Sequence, residues 1–138
     1  MIPLLIVAHG NLGDSLIQCA SFVLGRRPEQ LESLDLSASE EPGAILNSAR
    51  AQITRMDQGQ GVLILTDVYG ATPCNTVCQL IQHEHVEAVA GVNLPMLLKA
   101  LNYRNESLAL LIRKALQGGR DGVMYLLPRD AEEEYGDA

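Results

Sequence analysis

Two residues with acid–base chemistry each follow an apolar segment of the sequence. His9 follows the run 2–8, and Asp67 follows the run 61–66. Short apolar runs are typical of strands buried in a parallel sheet, and ligands bind outside the carboxyl ends of such strands. A carboxylate that accepts from one imidazole nitrogen fixes the tautomer and leaves the other nitrogen unprotonated. The pair therefore predicts a nucleophilic histidine, whose ring the acid would stabilise once a phosphoryl group made it positive.

Taken singly, either residue has a plainer interpretation. A lone histidine is usually structural, and a carboxylate at the end of a strand often forms or caps a turn. The pair is more informative than either member. His83 and His85 flank Glu84 near the end of a predicted helix, and we interpret them as a solvated helix end. Ligands at i and i+2 diverge on a helix, so these residues do not predict a metal site.

The segment after Asp67 adds a possible anion site. Gly70, Ala71 and Thr72 form a small-residue turn, and Thr72-Pro73 is a typical helix start. Backbone N–H groups and the positive end of a helix dipole suit an anion such as a phosphoryl group, and the Thr72 hydroxyl adds a donor. An ordinary strand-to-helix turn remains the alternative. No P-loop or dinucleotide-binding motif is present.

Strands and helices alternate along the chain, which predicts an α/β fold, a three-layer sandwich with a mainly parallel central sheet and helices on both faces. On the first helix the apolar residues Leu16, Cys19, Ala20, Val23 and Leu24 recur at helical spacing, with Asp14 or Ser15 as the N-cap. The expected strands cover 2–8, 31–36, 61–66, 86–92 and 122–127. The expected helices lie within 14–24, 42–56, 72–81, 95–103 and 107–116, the last ending at Gly118-Gly119.

Composition narrows the class of protein. The 138 residues fit one domain, 1–128, followed by an acidic tail, 129–138, which we interpret as solvated rather than as a docking surface. The net charge of −7 argues against nucleic-acid binding. Two of the three cysteines, Cys74 and Cys78, are spaced i,i+4 and are expected to be small buried hydrophobes. The apolar start has no basic flank or cleavage site, and no run is long enough to span a membrane, so we expect a cytoplasmic protein.

The order of these motifs resembles that of a known family. The motifs are His9-Gly10, the segment Asp67-Val68-Tyr69-Gly70-Ala71-Thr72-Pro73-Cys74-Asn75, the segment Ala90-Gly91-Val92-Asn93-Leu94-Pro95-Met96, and the final Gly119 to Val123. From residue 2 to about residue 127 the chain resembles the enzyme IIA component of the mannose family of the bacterial phosphoenolpyruvate:sugar phosphotransferase system. The segment Pro73-Cys74-Asn75 argues for this branch over the phosphotransfer subunit of dihydroxyacetone kinase.

The resemblance implies a phosphotransferase, a protein-histidine phosphoryl carrier, with no cofactor or metal. His9 would be the phosphorylated histidine and Asp67 its paired carboxylate. Gly70, Ala71 and Thr72 would hold the phosphoryl oxygens; many family members read Gly-Gly-Ser there. Asn93 and Pro95 would belong to a loop on the opposite wall.

The resemblance also implies partners. The donor would be the phosphohistidine of the carrier protein HPr, and the acceptor a histidine on a IIB component in sugar uptake. A homodimer is expected, in which the strand 122–127 is exchanged and pairs antiparallel at the sheet edge. The 138 residues contain no IIB sequence, so we expect a separate acceptor or a regulatory role that reports the phosphorylation state. An interaction module without phosphotransfer is the rival interpretation; a hydrolase is disfavoured because no nucleophile elbow is present.

Overall fold

The computed structural model describes residues 1–39, 41–67 and 76–128. Its strands are β1 (Leu4–Ala8), β2 (Leu31–Asp35), β3 (Val62–Thr66) and β4 (Val86–Ala90). The helices in the described residues are α1 (Leu12–Leu24), α2 (Pro42–Met56), α3 (Leu94–Leu101) and α4 (Leu108–Asp121). Residues 76–78, between β3 and β4, are also helical, so a helix follows each of the first three strands as the sequence predicts, and α3 and α4 both follow β4.

The four strands form one sheet in the order β2-β1-β3-β4, and every neighbouring pair is parallel. β1 is central: its Leu4 is in register with Leu31 of β2 and with Leu63 of β3. Because the strands are parallel, the loops that follow β1, β2 and β3 leave from the same sheet edge, and β1 is connected to β2 on one side while the chain continues to β3 on the other. This arrangement is the switch point at which open α/β sheets bind ligands.

Alternate residues of the central strand β1 pack into two separate hydrophobic clusters, one on each face of the sheet. Leu4, Ile6 and Ala8 pack in a cluster with buried residues of α1, α3 and α4. Leu5 and Val7 pack in a second cluster with buried residues of α2 and with Val77 and Leu80. Because successive side chains of a strand point to opposite faces, this division confirms the predicted three-layer sandwich with helices on both faces.

Helix α1 starts earlier and buries a different face than its sequence predicts. Asn11 is the N-cap, and the buried residues are Gly13, Ile17 and Ala20. Cys19, Val23 and Leu24 are exposed. The stripe through 13, 17 and 20 and the stripe through 16, 20 and 23 both have helical spacing. The face through 13, 17 and 20, which begins with a glycine, packs inward. Gly13 lies so close to β2 that a Cβ there would be 2.7 Å from the Ser33 Cβ.

Helix α4 continues through the glycine pair that was expected to end it. A Cβ on Gly118 would lie 2.4 Å from the Cβ of Lys99, and one on Gly119 would lie 2.7 Å from Met96 Cε. Both Lys99 and Met96 belong to α3. The glycines therefore allow close packing of two helices, which is a different use of glycine from terminating a helix.

Three other expectations are resolved or remain open. Residues 83–85 form a turn before β4, with an antiparallel bridge between Gln82 and Val86, so the expected helix end is wrong. Cys78 is exposed, against expectation, whereas Cys74 lies outside the described residues. Residues 123–128 form no strand within the described chain, and exchange of this segment in a dimer stays a prediction.

Candidate active site

His9 and Asp67 meet at the carboxyl edge of the sheet. His9 directly follows β1, and Asp67 directly follows β3. The Nδ1 atom of His9 lies 2.7 Å from Oδ2 of Asp67, and the backbone N–H of His9 donates to the same oxygen at 3.1 Å. The two strands are adjacent and parallel, so their ends bring these residues together, as the sequence predicts.

The contact decides which nitrogen of His9 carries the proton. An ionised carboxylate can only accept, so Nδ1 donates and the neutral ring keeps Nε2 unprotonated. The Asp67 side chain is 10% exposed, whereas the His9 side chain is 48% exposed. A shielded acid thus orients a histidine whose ring remains open to solvent.

A second acid holds the next residue of the same turn. Gly10 has φ +58°, a left-handed conformation that favours glycine. Its N–H donates to Oδ1 of Asp35 at 2.8 Å and to Oγ of Ser37 at 3.2 Å. Asp35 is the last residue of β2. Consecutive amides of the turn after β1 are therefore fixed by acids from both neighbouring strands.

The environment of Asp35 favours its charged form. The Ser37 hydroxyl and the Ser37 backbone N–H both donate to Oδ1, at 2.6 and 2.8 Å. These bonds lower the pKa of the Asp35 carboxyl; partial desolvation opposes them, and the Gly10 N–H lowers the pKa further. Asp35 is thus a stable negative charge beside the histidine.

Sequence reasoning missed Asp35 and Ser37. The signal was available in principle, because Asp35 ends a strand as Asp67 does. The strand 31–35 contains charged and polar residues, however, and its order in the sheet, beside β1, cannot be read from periodicity.

Asn93 and Pro95 hold the start of α3. The Asn93 side chain accepts from the Met96 N–H at 2.9 Å, as an N-cap, and donates to the Gly119 carbonyl at 3.1 Å. Pro95 packs against Gly122, where an added Cβ would lie 2.3 Å from the proline Cβ. The contacts of both residues are therefore those of helix capping and packing, and a part in the site stays a prediction.

The remaining candidate residues, Gly70, Ala71 and Thr72, lie outside the described residues. The loop after β4 is joined to the site through the backbone, since Gly91 N–H donates to the Asp67 carbonyl at 3.2 Å.

Within the described ranges, no group of three His, Cys, Asp or Glu side chains could hold a metal ion. No helix of these ranges is long and apolar enough to cross a bilayer.

Comparison with known proteins gives a consistent result. The family model described as PTS system fructose IIA component matches residues 3–115. The mannose-specific EIIAB component of the PTS from Escherichia coli K12 is 32% identical over 96% of this chain, which spans 42% of that protein. The fructose-specific EIIA component from Bacillus subtilis is 29% identical over 80% of this chain and 75% of its own length.

A solved structure supports the same grouping. Phosphotransferase system component EIIA from Streptococcus agalactiae superimposes with a TM-score of 0.79 at 25% identity, covering 91% of this chain and 97% of its own. The family match extends from β1 into α4 and therefore includes the strand ends that carry His9, Asp35 and Asp67. The chain belongs to the mannose-type IIA family of the phosphotransferase system.

Proposed function

We propose that the protein carries a phosphoryl group on Nε2 of His9, received from the phosphohistidine of HPr and passed to a histidine of a IIB component in sugar uptake. The observation that carries the proposal is the 2.7 Å contact between His9 Nδ1 and the shielded Asp67 carboxylate. It leaves Nε2 as the nucleophilic nitrogen of an exposed ring. We propose a phosphoryl group as the group carried because the chain belongs to a phosphotransferase-system family.

The transfer balances without a cofactor. The P–N bond of the donor phosphohistidine breaks as a P–N bond to Nε2 of His9 forms, and the donor nitrogen regains its lone pair. His9 keeps its Nδ1 proton throughout, and Asp67 stabilises the positive ring of the product. The transition state is loose, so positioning and charge stabilisation supply most of the catalysis. We further propose that Gly70, Ala71 and Thr72 donate to the phosphoryl oxygens, with Asn93 and Pro95 on the opposite wall.

The proposal is tested by phosphorylation in a reconstituted system. The protein is incubated with labelled phosphoenolpyruvate, enzyme I and HPr, and we expect an acid-labile, base-stable phosphate on the chain. His9→Ala should remove the label. His83→Ala is the matched control, because the His83 side chain is 88% exposed and lies before β4; it should be labelled like the wild type. Absence of label on the wild-type chain would contradict the carrier function.

Asp67→Asn tests the orienting acid. The amide cannot serve as an anionic acceptor for Nδ1, so we expect phosphoryl uptake to slow by about 10–100-fold, by analogy with the loss of a carboxylate partner from a metal-bound histidine. Asp57→Asn is the matched control, since Asp57 also pairs with a histidine, His85, at the other sheet edge. A quench-flow rate equal to wild type for Asp67→Asn would remove Asp67 from the mechanism.

The acceptor is tested separately. Phosphorylated protein is mixed with purified IIB component, and loss of label from His9 with gain on IIB supports a part in sugar uptake. A regulatory carrier would instead retain its label on His9 when IIB is added. Its affinity for its partner would differ between the phosphorylated and unphosphorylated states. An interaction module without phosphotransfer predicts partner binding that is indifferent to His9→Glu.

A further inference from the structure

A cavity lined by three arginines lies at the sheet edge opposite His9. Its volume is about 320 Å³, and its basic lining residues are Arg26, Arg27 and Arg104. Arg26 and Arg27 follow α1 and precede β2, and Arg104 follows α3. The cavity is therefore separated from His9 by at least one strand length, roughly 16 Å at ~3.3 Å per residue.

This concentration of positive charge is unusual for the chain. The sequence has ten lysines and arginines against seventeen aspartates and glutamates. Within the described residues, none of the three guanidinium groups forms an ion pair within 4.0 Å. Glu29 is the acidic residue of the lining. The cavity thus holds more positive than negative charge.

Arg104 is the buried member of the three arginines. It is 7% exposed, and its Nη1 donates to the carbonyls of Glu29 and Gln30. Its Nε is buried and has no acceptor among the described residues. Burial lowers the pKa of Arg104, with the charge of Glu29 opposing, so the fold holds this charge against a desolvation cost. Arg104 also lines the cavity and has no carboxylate within 4.0 Å among the described residues, so an anion held in the cavity would offset this desolvated charge.

The neighbouring arginines are free to turn toward such an anion. Arg26 and Arg27 are exposed, and the described contact of Arg27 is a donation to the Leu31 carbonyl at 3.3 Å. Guanidinium groups match the oxygens of a phosphate group with paired N–H donors. Three positive charges against one acid favour a ligand that is at least doubly negative.

We propose that this cavity binds a small phosphate-bearing anion, at a site distinct from the phosphoryl-transfer site on His9. The position suits a regulatory ligand, because Arg104 holds the segment that leads from α1 into β2, and β2 ends at Asp35 beside His9. The proposal is independent of the proposed carrier function.

The test is an NMR titration of the ¹⁵N-labelled protein at constant ionic strength. The probes are inorganic phosphate, pyrophosphate and glycerol 3-phosphate, with chloride as the reference anion. We expect saturable amide shifts at 24–30 and 101–104 with at least one phosphate probe. Tighter binding of glycerol 3-phosphate than of inorganic phosphate would identify an ester as the ligand, and the reverse order would identify free phosphate.

The variant Arg26→Ala/Arg27→Ala should weaken the apparent Kd at least tenfold while keeping the wild-type Tm, since both side chains are exposed. Arg50→Ala removes an exposed arginine of α2 outside this cavity and should leave the Kd unchanged. The proposal is overturned by shifts confined to the residues around His9, by shifts that chloride reproduces, or by equal affinity in the double variant.

Discussion

The turn at His9 and Gly10 is fixed by two acids that arrive from different strands. Asp67 accepts from the His9 ring and backbone, and Asp35 accepts from the Gly10 backbone. The first contact selects the tautomer, whereas the second holds a left-handed glycine in place. The orientation of one imidazole therefore depends on residues 25 and 58 positions away from the turn.

Asp35 is expected to contribute to phosphoryl uptake through position. Asp35→Ala leaves the Gly10 N–H without its acceptor, and we expect the rate of phosphorylation by HPr to fall roughly tenfold, because small misplacements of reacting groups are costly. Asp35→Asn keeps an acceptor oxygen and should be closer to wild type. Asp121→Ala, at the exposed end of α4, serves as the control. Equal rates for Asp35→Ala and wild type would refute this role.

The lowered pKa of Asp57 predicts how the stability of the protein depends on pH. Partial desolvation raises its pKa, but donation from the Gly59 N–H, His85 and the Gly61 N–H outweighs this and lowers the pKa below the ordinary 3.8. A depressed folded-state pKa means that the stabilisation is complete above the unfolded pKa and is lost as pH falls through the folded one. We expect the Tm difference between wild type and Asp57→Asn to be largest above pH ~5 and to shrink toward pH ~2. A constant difference across this range would contradict the prediction.

At the scale of elements, α3 and α4 pack as a close pair. Gly118 faces Lys99 and the Pro95 carbonyl, and Gly119 faces Met96. Asn93 joins the same two helices, because it caps α3 and donates to the Gly119 carbonyl. The start of α3 follows β4, so this pair fixes the chain that leaves the carboxyl end of β4.

Gly118→Ala should destabilise the protein despite the better helix propensity of alanine. Its Cβ would lie 2.4 Å from the Lys99 Cβ and 3.1 Å from the Pro95 carbonyl oxygen, so the helices must separate. The free-energy cost of overpacking, ~1–3 kcal/mol, exceeds the gain in helix propensity from glycine to alanine, which is up to ~1 kcal/mol. We therefore expect a Tm lower by roughly 3–8 °C. Gly43→Ala, which meets nothing within 4 Å, should have an equal or higher Tm. A Tm for Gly118→Ala at or above wild type would show that the helices adapt.

At the scale of the whole molecule, the segment after α4 exposes apolar side chains. Val123, Met124, Tyr125 and Leu126 are between 66% and 86% exposed. The edge strand β4 has one neighbour, β3, in the described sheet. Exposed apolar chain and an open sheet edge fit the expected exchange of residues 122–127 between two subunits.

Truncation tests this expectation. We expect the full chain to have twice the chain mass in light scattering, and a chain that ends at Gly122 to be a monomer. A chain that ends at Pro128 lacks only the acidic tail and should remain a dimer. A monomeric full chain, or a dimer that survives truncation at Gly122, would contradict strand exchange.

The amino-acid sequence determined the layered α/β fold and the meeting of His9 with Asp67. Apolar runs and helical spacing identify the elements, and parallel neighbouring strands bring their ends to one edge. The face that α1 buries and the role of Gly118 are set by how closely elements approach, which local periodicity does not report.

Tertiary structure alone decided the pairings that depend on strand order and loop direction. Asp35 reaches Gly10 because β2 lies beside β1. Arg104 lines the same cavity as Arg26 and Arg27, and donates to the Glu29 carbonyl, because α3 returns the chain to the edge from which β2 starts. These contacts join segments separated by 25 or more residues, and the charge or polarity of each residue by itself carries no information about its partner.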